Sequence, residues 1–279
     1  MAIISFWSEQ NKSSAQTLSA TAIATKMAVD HNMKILLVDV TFCDDTLERC
    51  FWEISSQKKI SKFQEQKYVD ISSGAEGLVS AVASNKTTPE IITNFTRVVF
   101  KNRLDVLCGL KTTIMEEFNR SLSYYKDLLV TADKFYDLII VDLDKTLKNE
   151  YILEILNVSH LIMYTFPQNL RLIDNYIIKS QTNSIMKNWN LYPILTNVDQ
   201  FSKYNSKNVT RYLKEKKEIP YIINNSNYME SACEGKVANF FLKTRLSSST
   251  QDKNSQFIKS VEDSCEKINF KLQELKYKI

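Results

Sequence analysis

Short runs of apolar residues, some of them ending at an aspartate, set the strongest limit on what this chain can fold into. Lys34–Val40 (KILLVDV) and Tyr136–Asp142 (YDLIIVD) carry the acid at or near their end. Ala2–Trp7 (AIISFW), Leu104–Cys108 (LDVLC), His160–Phe166 (HLIMYTF), Leu191–Thr196 (LYPILT) and Ile219–Ile223 are runs of the same length class. These runs are mostly apolar throughout rather than alternating, the pattern of parallel strands buried on both faces. Between them, Ser14–His31, Ile114–Thr131 and a stretch from about Gln168 to Met186 have helical composition. Leu18, Ala22 and Met27 fall near one face of the first. Strand–helix alternation with right-handed crossovers predicts an α/β fold: a doubly wound, mostly parallel sheet with helices on both faces, in three layers. Ligands of such sheets bind beyond the carboxyl ends of the strands, where Asp39 and Asp142 fall.

The rest of the sequence narrows the class. The 279 residues are within the range of one large α/β domain. Apolar residues at 44% and charged residues at 24% exclude wholesale disorder and low-complexity architecture. No run approaches the length of a membrane-spanning helix, and Met1–Ser8, which lacks a basic region and is followed by Glu9, does not read as a signal peptide. The scattered Cys43, Cys50, Cys108, Cys233 and Cys265 read as reduced thiols of a cytoplasmic protein rather than a disulfide or metal framework. His31 and His160 read as structural. A net charge of +4 from 36 basic and 32 acidic residues is too balanced to predict nucleic-acid binding.

Two segments are expected. Residues 1–246 form the main domain, and residues 247–279 a polar linker (Ser247–Ser255) followed by a helix. In that helix Ile258, Val261, Cys265, Ile268, Leu272, Leu275 and Ile279 form a heptad stripe. Packing on the same domain is the favoured reading of the stripe. A partner or self-association helix ranks second. A membrane-surface helix ranks third, because its lysines are offset by Glu262, Asp263, Glu266 and Glu274.

Strand, loop, helix and a strand ending in Asp is the plan of a P-loop protein, yet the four glycines are Gly74, Gly77, Gly109 and Gly235, none in the first 73 residues. ISFWSEQNKSSAQTLSATAIA followed by KILLVDV resembles the opening of the ParA/MinD family, in which a strand runs into K-G-G-x-G-K-T, a helix and a strand of the form LLIDxD. YDLIIVD resembles the Walker B strand, LIMYTFPQNLRLID the strand–loop–helix after it, ILTNVDQFSKYN the VLNRxD strand, and IPYIINNSNYMESACEGKVANFF the segment near the end of that domain. The resemblance covers about residues 2–245. Within the family, GAEGLVSAV, KNRLDVLCGLK and FSKYNSKN are similar to the TadZ/CpaE-type branch, ParA-like proteins that position tad pilus secretion machinery.

The resemblance implies an ATP or ADP site with Mg²⁺, and the residues depart from it. A phosphate loop needs inward backbone N–H groups, glycines for positive φ, a Lys for the phosphate charge and a Ser/Thr hydroxyl for Mg²⁺. Glu9–Thr17 contains no glycine. In one register Ala15-Gln16-Thr17 stands for G-K-T, so Gln16 replaces the phosphate Lys and Asn11 the dimer-bridging Lys. In the other, matched by length from Trp7, Ala15 and Gln10 replace them. Lys12 lies in the loop, in a glycine slot. Each lost charge-assisted bond removes about 1.5–3 kcal/mol, and each non-Gly residue forced to positive φ costs ~1 kcal/mol or more. Triphosphate binding is therefore expected to be weak or absent, and efficient hydrolysis is not expected.

The resemblance carries over further residues. Lys12, Gln16, Thr17, Asn197 (the adenine-reading Asn of TNVD) and Pro220 (in IPY, against the base) are the nucleotide candidates. Thr17, Asp39 and Asp142 are the metal candidates if Mg-nucleotide is bound. Thr41 replaces the second Asp of D-x-D, with Asp44 and Asp45 nearby at the wrong spacing; Asp144 is another candidate beside Asp142, less favoured because it lies beyond the strand end. Asp142 also reads as a strand-end cap, Asn197 as a buried Asn satisfied at its strand end, and Pro220 as a packing residue. The leading functional expectation is a ParA/MinD-like positioning or assembly scaffold of a tad-type pilus or secretion system. It is expected to be a cytoplasmic homodimer that meets the inner face of the membrane through secretion or pilus-assembly partners. An active ATPase that uses Lys12 is the first alternative. A DNA-partitioning protein is the second, disfavoured by the charge balance and the missing bridging Lys.

Overall fold

The computed structural model describes residues 2–8, 14–53, 74–84, 88–145, 150–245 and 252–276. Its strands are β1 (Ala2–Trp7), β2 (Ile35–Val40), β3 (Arg97–Phe100), β4 (Leu104–Leu107), β5 (Leu138–Leu143), β6 (Leu161–Phe166), β7 (Leu191–Val198) and β8 (Tyr221–Ile223). Among the described residues they form one sheet in the order β3-β4-β2-β5-β1-β6-β7-β8. The helices are α1 (Gln16–Asp30), α2 (Thr46–Phe51), α3 (Gly74–Ala83), α4 (Met115–Leu122), α5 (Tyr125–Ala132), α6 (Glu150–Val158), α7 (Leu170–Thr182), α8 (Ser206–Tyr212), α9 (Ser226–Cys233), α10 (Val237–Arg245) and α11 (Lys253–Lys276). The strand pairs are parallel except β3 with β4, which is antiparallel and bulged between Val98 and Phe100. This is the expected doubly wound α/β sheet, with one reversed edge strand in addition.

Side chains of successive strand residues point to opposite faces, and both faces are covered. Ile3 and Trp7, Leu36 and Val38, and Ile139 and Val141 pack beneath α3–α8. Ile4 and Phe6, Ile35 and Leu37, and Leu138 and Ile140 pack against α1, α2, α9, α10 and α11. The central strands β1, β2, β5 and β6 are buried at every position, which is why they read as unbroken apolar runs. Asp39 shares its face with Ile35 and Leu37, and Asp142 with Leu138 and Ile140. Both acids therefore point to the α1 side.

Several boundaries differ from the sequence reading, each for a local reason. The expected helix 114–131 is two helices, α4 and α5. The Ser123 hydroxyl donates to the Arg120 carbonyl (2.7 Å) and the Tyr124 amide to the Ser121 carbonyl, which breaks the regular ladder. The helix expected from about Gln168 to Met186 stops at Thr182, where Asn183 caps it before a short 3-10 turn, Met186–Asn188. The polar stretch expected to be loop through Ser255 is helical from Lys253.

Helix α11 buries Phe257, Val261, Cys265 and Ile268 against the α1 face of the sheet, with Leu272 and Leu275 partly buried beside them. Ile279, the last residue of the stripe, lies outside the described residues. The helix also closes the sheet edge with hydroxyls that the apolar stripe does not reveal. The Tyr221 amide donates to Ser264 Oγ (3.0 Å), which donates in turn to the Tyr221 carbonyl (2.9 Å). The Ile223 amide donates to Ser260 Oγ (3.2 Å). Three of the groups that would make β8 a template for pairing, the Tyr221 N–H and C=O and the Ile223 N–H, are thereby satisfied. The five cysteines are free, with Cys50, Cys108 and Cys265 buried. Among the described residues no helix is long and apolar enough to cross a membrane.

Candidate functional site at the carboxyl ends of the central strands

Helix α1 follows β1 after residues 9–13, which lie outside the described residues, as do the candidate Lys12 and the alternatives Gln10 and Asn11. Ala15 immediately precedes the helix in the left-handed conformation (φ 45, ψ 33). That geometry favours glycine, and a residue with a Cβ holds it at a cost. Gln16 is the first helical residue and is buried. Its side-chain amide donates to Asp142 Oδ1 at 2.6 Å and to the Leu143 carbonyl at 2.8 Å. Its carbonyl oxygen lies 3.5 Å from the Thr165 hydroxyl. One neutral side chain thus ties the start of α1 to the end of β5 and reaches toward β6.

Asp39 and Asp142 are register partners on adjacent parallel strands, side by side on one face. Both are almost completely buried. Asp39 accepts from the Thr41 amide (3.0 Å) and hydroxyl (2.6 Å) through Oδ1. Burial first, and the neighbouring Asp142 second, push its pKa up to about 8. Asp142 is pushed up to about 6 by burial; Thr17 and Gln16 work against that shift by favouring its charged form. The geometry thus separates the two acids. Burial raises both acids, and the bonds from Gln16 and Thr17 favour the charged form on Asp142 rather than on Asp39. Asp142 Oδ2 is buried and, among the described residues, has no hydrogen-bond partner.

Gly109 forms the opposite wall. A Cβ added there would stand 2.9 Å from Asp39 Oδ2, so the loop after β4 lies directly on the carboxyl group. The other acids of this end are engaged locally. Asp44 takes both the amide and the hydroxyl of Thr46, and Asp45 pairs with Arg49 at 2.7 Å. Asp144 takes the Lys145 amide at 2.7 Å and the Phe42 amide at 3.2 Å. Asp44 and Asp45 therefore shape the turn into α2. Among the described residues no group of three or more His, Cys, Asp or Glu is arranged to hold a metal ion.

The remaining candidates lie elsewhere on the same end of the sheet. β7 is three strands from β5, roughly 14 Å at the usual inter-strand spacing. Asn197 sits near its end with φ 53, where the β7–β8 register shifts, and is exposed. The reading of Asn197 as a buried, strand-satisfied residue is therefore incorrect: the left-handed turn lifts it into solvent, a conformation Asn tolerates. Pro220 is buried, and its carbonyl accepts from the Leu195 amide at 3.1 Å. The two histidines serve the framework. His160 Nδ1 accepts from the Ile3 amide at 2.9 Å, and the His31 carbonyl accepts from Arg103. Sequence reasoning missed Gly109, Thr165 and the reach of Gln16; only the position of Gly109 at a strand end could have signalled the first.

No protein-family model matches the chain, and no curated protein matches it in sequence. Solved structures match in fold. The ParA family ATPase from Chlorobium tepidum TLS superposes with a TM-score of 0.66 at 16% identity, over 94% of this chain and 97% of that one. The septum site-determining protein MinD complexed with Mg-ADP from Pyrococcus horikoshii OT3 gives 0.65 at 13% identity, over 97% and 98%. A putative plasmid partition protein from Borrelia burgdorferi B31 bound to AMPPNP gives 0.61 at 16% identity, over 99% and 98%. The chain has the fold of ParA/MinD-type ATPases.

Proposed function

We propose that this chain is a positioning or assembly scaffold built on the ParA/MinD-type fold, with weak or absent nucleotide binding. One observation carries the reading: the Gln16 amide is folded onto Asp142 Oδ1 and the Leu143 carbonyl. The helix start at Gln16 and the left-handed Ala15 support the register in which Ala15-Gln16-Thr17 stands for G-K-T. In that register Gln16 holds the place of the phosphate lysine. It brings no charge, and its donors are already spent on the carboxylate that a nucleotide-bound cation would need.

The residues fit the implied ligand only in part. Thr17, Asp39 and Asp142 supply the oxygen donors that a hard divalent cation takes, and the orphaned Asp142 Oδ2 has room for such a partner in its hydrogen-bonding inventory. The triphosphate does not fit. The described part of the cradle offers no cation to the phosphates. These residues therefore support no hydrolytic step. The solved neighbours bound to AMPPNP and to Mg-ADP keep ATP or ADP with Mg²⁺ as the ligand to be tested.

The finer reading is a homodimer that serves a tad-type pilus or secretion system from the cytoplasm, meeting the membrane through partner proteins. It rests on the segments GAEGLVSAV, KNRLDVLCGLK and FSKYNSKN. A MinC:MinD complex among the structural neighbours makes partner recruitment a natural use of the fold. Calorimetric titration of the full chain with ATP and Mg²⁺ tests the nucleotide claim. The expected result is no saturable heat in the micromolar range, together with dimerisation that nucleotide leaves unchanged in size-exclusion chromatography. Micromolar binding that disappears in Lys12→Ala would establish the active-loop alternative instead.

A further inference from the structure

A groove on the face away from α1 is the strongest unassigned feature. It lies between α7 and α8, has a volume of about 270 Å³, and is lined by Leu170, Ile173, Tyr204, Val209 and Tyr212, with Lys203 at its edge. That volume is below the ~300–1,000 Å³ of small-molecule sites, and suits one or two inserted side chains better than a metabolite.

The groove is held open by specific contacts. The Gln168 amide donates to the carbonyls of Asp199 (2.9 Å) and Tyr204 (3.0 Å), and its own carbonyl accepts from the Asp199 amide (2.8 Å). These three bonds fix the loop between β7 and α8 to the start of α7. Asp199 Oδ1 accepts from the Phe201 amide at 2.9 Å, and the ring of Phe201 is left 98% exposed. Across the groove, Tyr212 is half-exposed and its hydroxyl donates to Asp174 at 2.6 Å. A large apolar ring displayed on a pinned loop, next to a shaped apolar groove, is the anatomy of an interaction anchor.

Charge selects the occupant. Arg171, Lys203, Lys207 and Arg211 are all exposed on α7, the loop and α8. Among the described residues none of the four is in an ion pair. Lys207 and Arg211 form a row one position before the groove-lining pair Asn208 and Tyr212. Of the neighbouring acids, Asp174 is engaged by Tyr212 and Asp199 by Phe201. An apolar slot bordered by cations outside ion pairs, one of them (Lys203) lying 5.0 Å over the Tyr204 ring, is complementary to an apolar ridge flanked by carboxylates.

We propose that the α7–α8 groove, with Phe201 displayed on the loop that supplies Lys203 and Tyr204 to its lining, docks an amphipathic helical segment of a partner protein that carries acidic residues beside its apolar anchors. The surface does not depend on the nucleotide reading, because it uses none of Gln16, Asp39 or Asp142. The test is fluorescence anisotropy of the full chain with two labelled helical peptides of about 16 residues, long enough to hold a helix once docked. Both carry Leu at i, i+4 and i+7; one has Glu at the flanking positions and the other Lys. The Glu peptide is expected to bind about tenfold or more tighter than the Lys peptide. Joint Lys207→Glu and Arg211→Glu substitution is expected to reverse that order, and Phe201→Ser to weaken the Glu peptide about tenfold. These positions are exposed, so thermal melts of the variants should match the parent. Equal binding of the two peptides, binding of neither, or indifference to the charge reversal would overturn the proposal. Binding of phosphatidylcholine–phosphatidylglycerol vesicles or duplex DNA that the same substitutions abolish, with no peptide preference, would overturn it too and assign the face to a lipid or nucleic-acid surface.

Discussion

Asp39→Asn is expected to stabilise the chain by about 2–5 kcal/mol at pH 9 in the presence of EDTA, and to change little at pH 5. Two carboxyl groups stand in register on neighbouring strands, both almost fully buried. In the unfolded chain Asp39 ionises near the ordinary carboxylate value, and in the folded chain near 8. Between those values the native state holds a proton that the unfolded state has released. Stability therefore falls as pH rises through this window. The contribution is fully present below about pH 4 and lost above about pH 8. Asparagine keeps the shape of the protonated acid, and its carbonyl oxygen can still accept from the Thr41 amide and hydroxyl. It removes the charge that has to form in a dry site at high pH.

Urea unfolding of the parent and Asp39→Asn at pH 5, 7 and 9 checks this. Two curves that lie close at pH 5, are already apart at pH 7 and are furthest apart at pH 9, with the variant above, are the expected outcome. Identical curves at all three values would mean that Asp39 ionises freely and that the two acids do not share one charge. A smaller slope should persist in the variant between about pH 4 and 6, because Asp142 is raised as well.

The extent to which this site was legible in the sequence follows from what each residue's chemistry needs. The central strands could be read because burial on both faces leaves no polar interruption; the aspartates stand out against that background at the end where such sheets place ligands. β3 could not be read. Arg97–Phe100 is a short exposed edge that pairs in the reverse direction, and its two valines lack the burial that makes a run conspicuous. The loss of the phosphate lysine was visible as an absence. Its replacement by a bond from Gln16 to Asp142 was not, because residues 126 positions apart meet only once α1 is laid across β5. The apolar stripe of α11 announced a buried face, but the two serines that close the β8 edge look like ordinary helix-surface polar residues until their partners are known. The groove between α7 and α8 left no trace, since an exposed phenylalanine has no sequence signature distinct from a buried one.

Gly235→Ala is expected to destabilise the chain by about 2–4 kcal/mol without touching the carboxylate pair. Gly235 follows the end of α9 with φ +72, in the left-handed region where a side chain is strained. Space compounds the conformational cost. A Cβ at this position would stand 2.5 Å from the Glu53 amide nitrogen and 2.5 Å from the Trp52 carbonyl carbon. Those are backbone atoms at the end of α2, so the clash cannot be relieved by turning a side chain. The α9 turn would have to lift away from α2, and α2 packs Leu47, Cys50 and Phe51 into the core on the α1 face. Thermal and urea unfolding should both register the loss, with a lower midpoint and an unchanged urea slope. Asn at the same position separates the two causes, because it tolerates positive φ better than Ala yet brings the same Cβ. If Gly235→Asn is as damaging as Gly235→Ala, the close approach to Trp52 and Glu53 dominates; if it recovers most of the stability, the backbone conformation does. A Gly235→Ala chain as stable as the parent would show that the two helices are not packed as tightly as this contact requires.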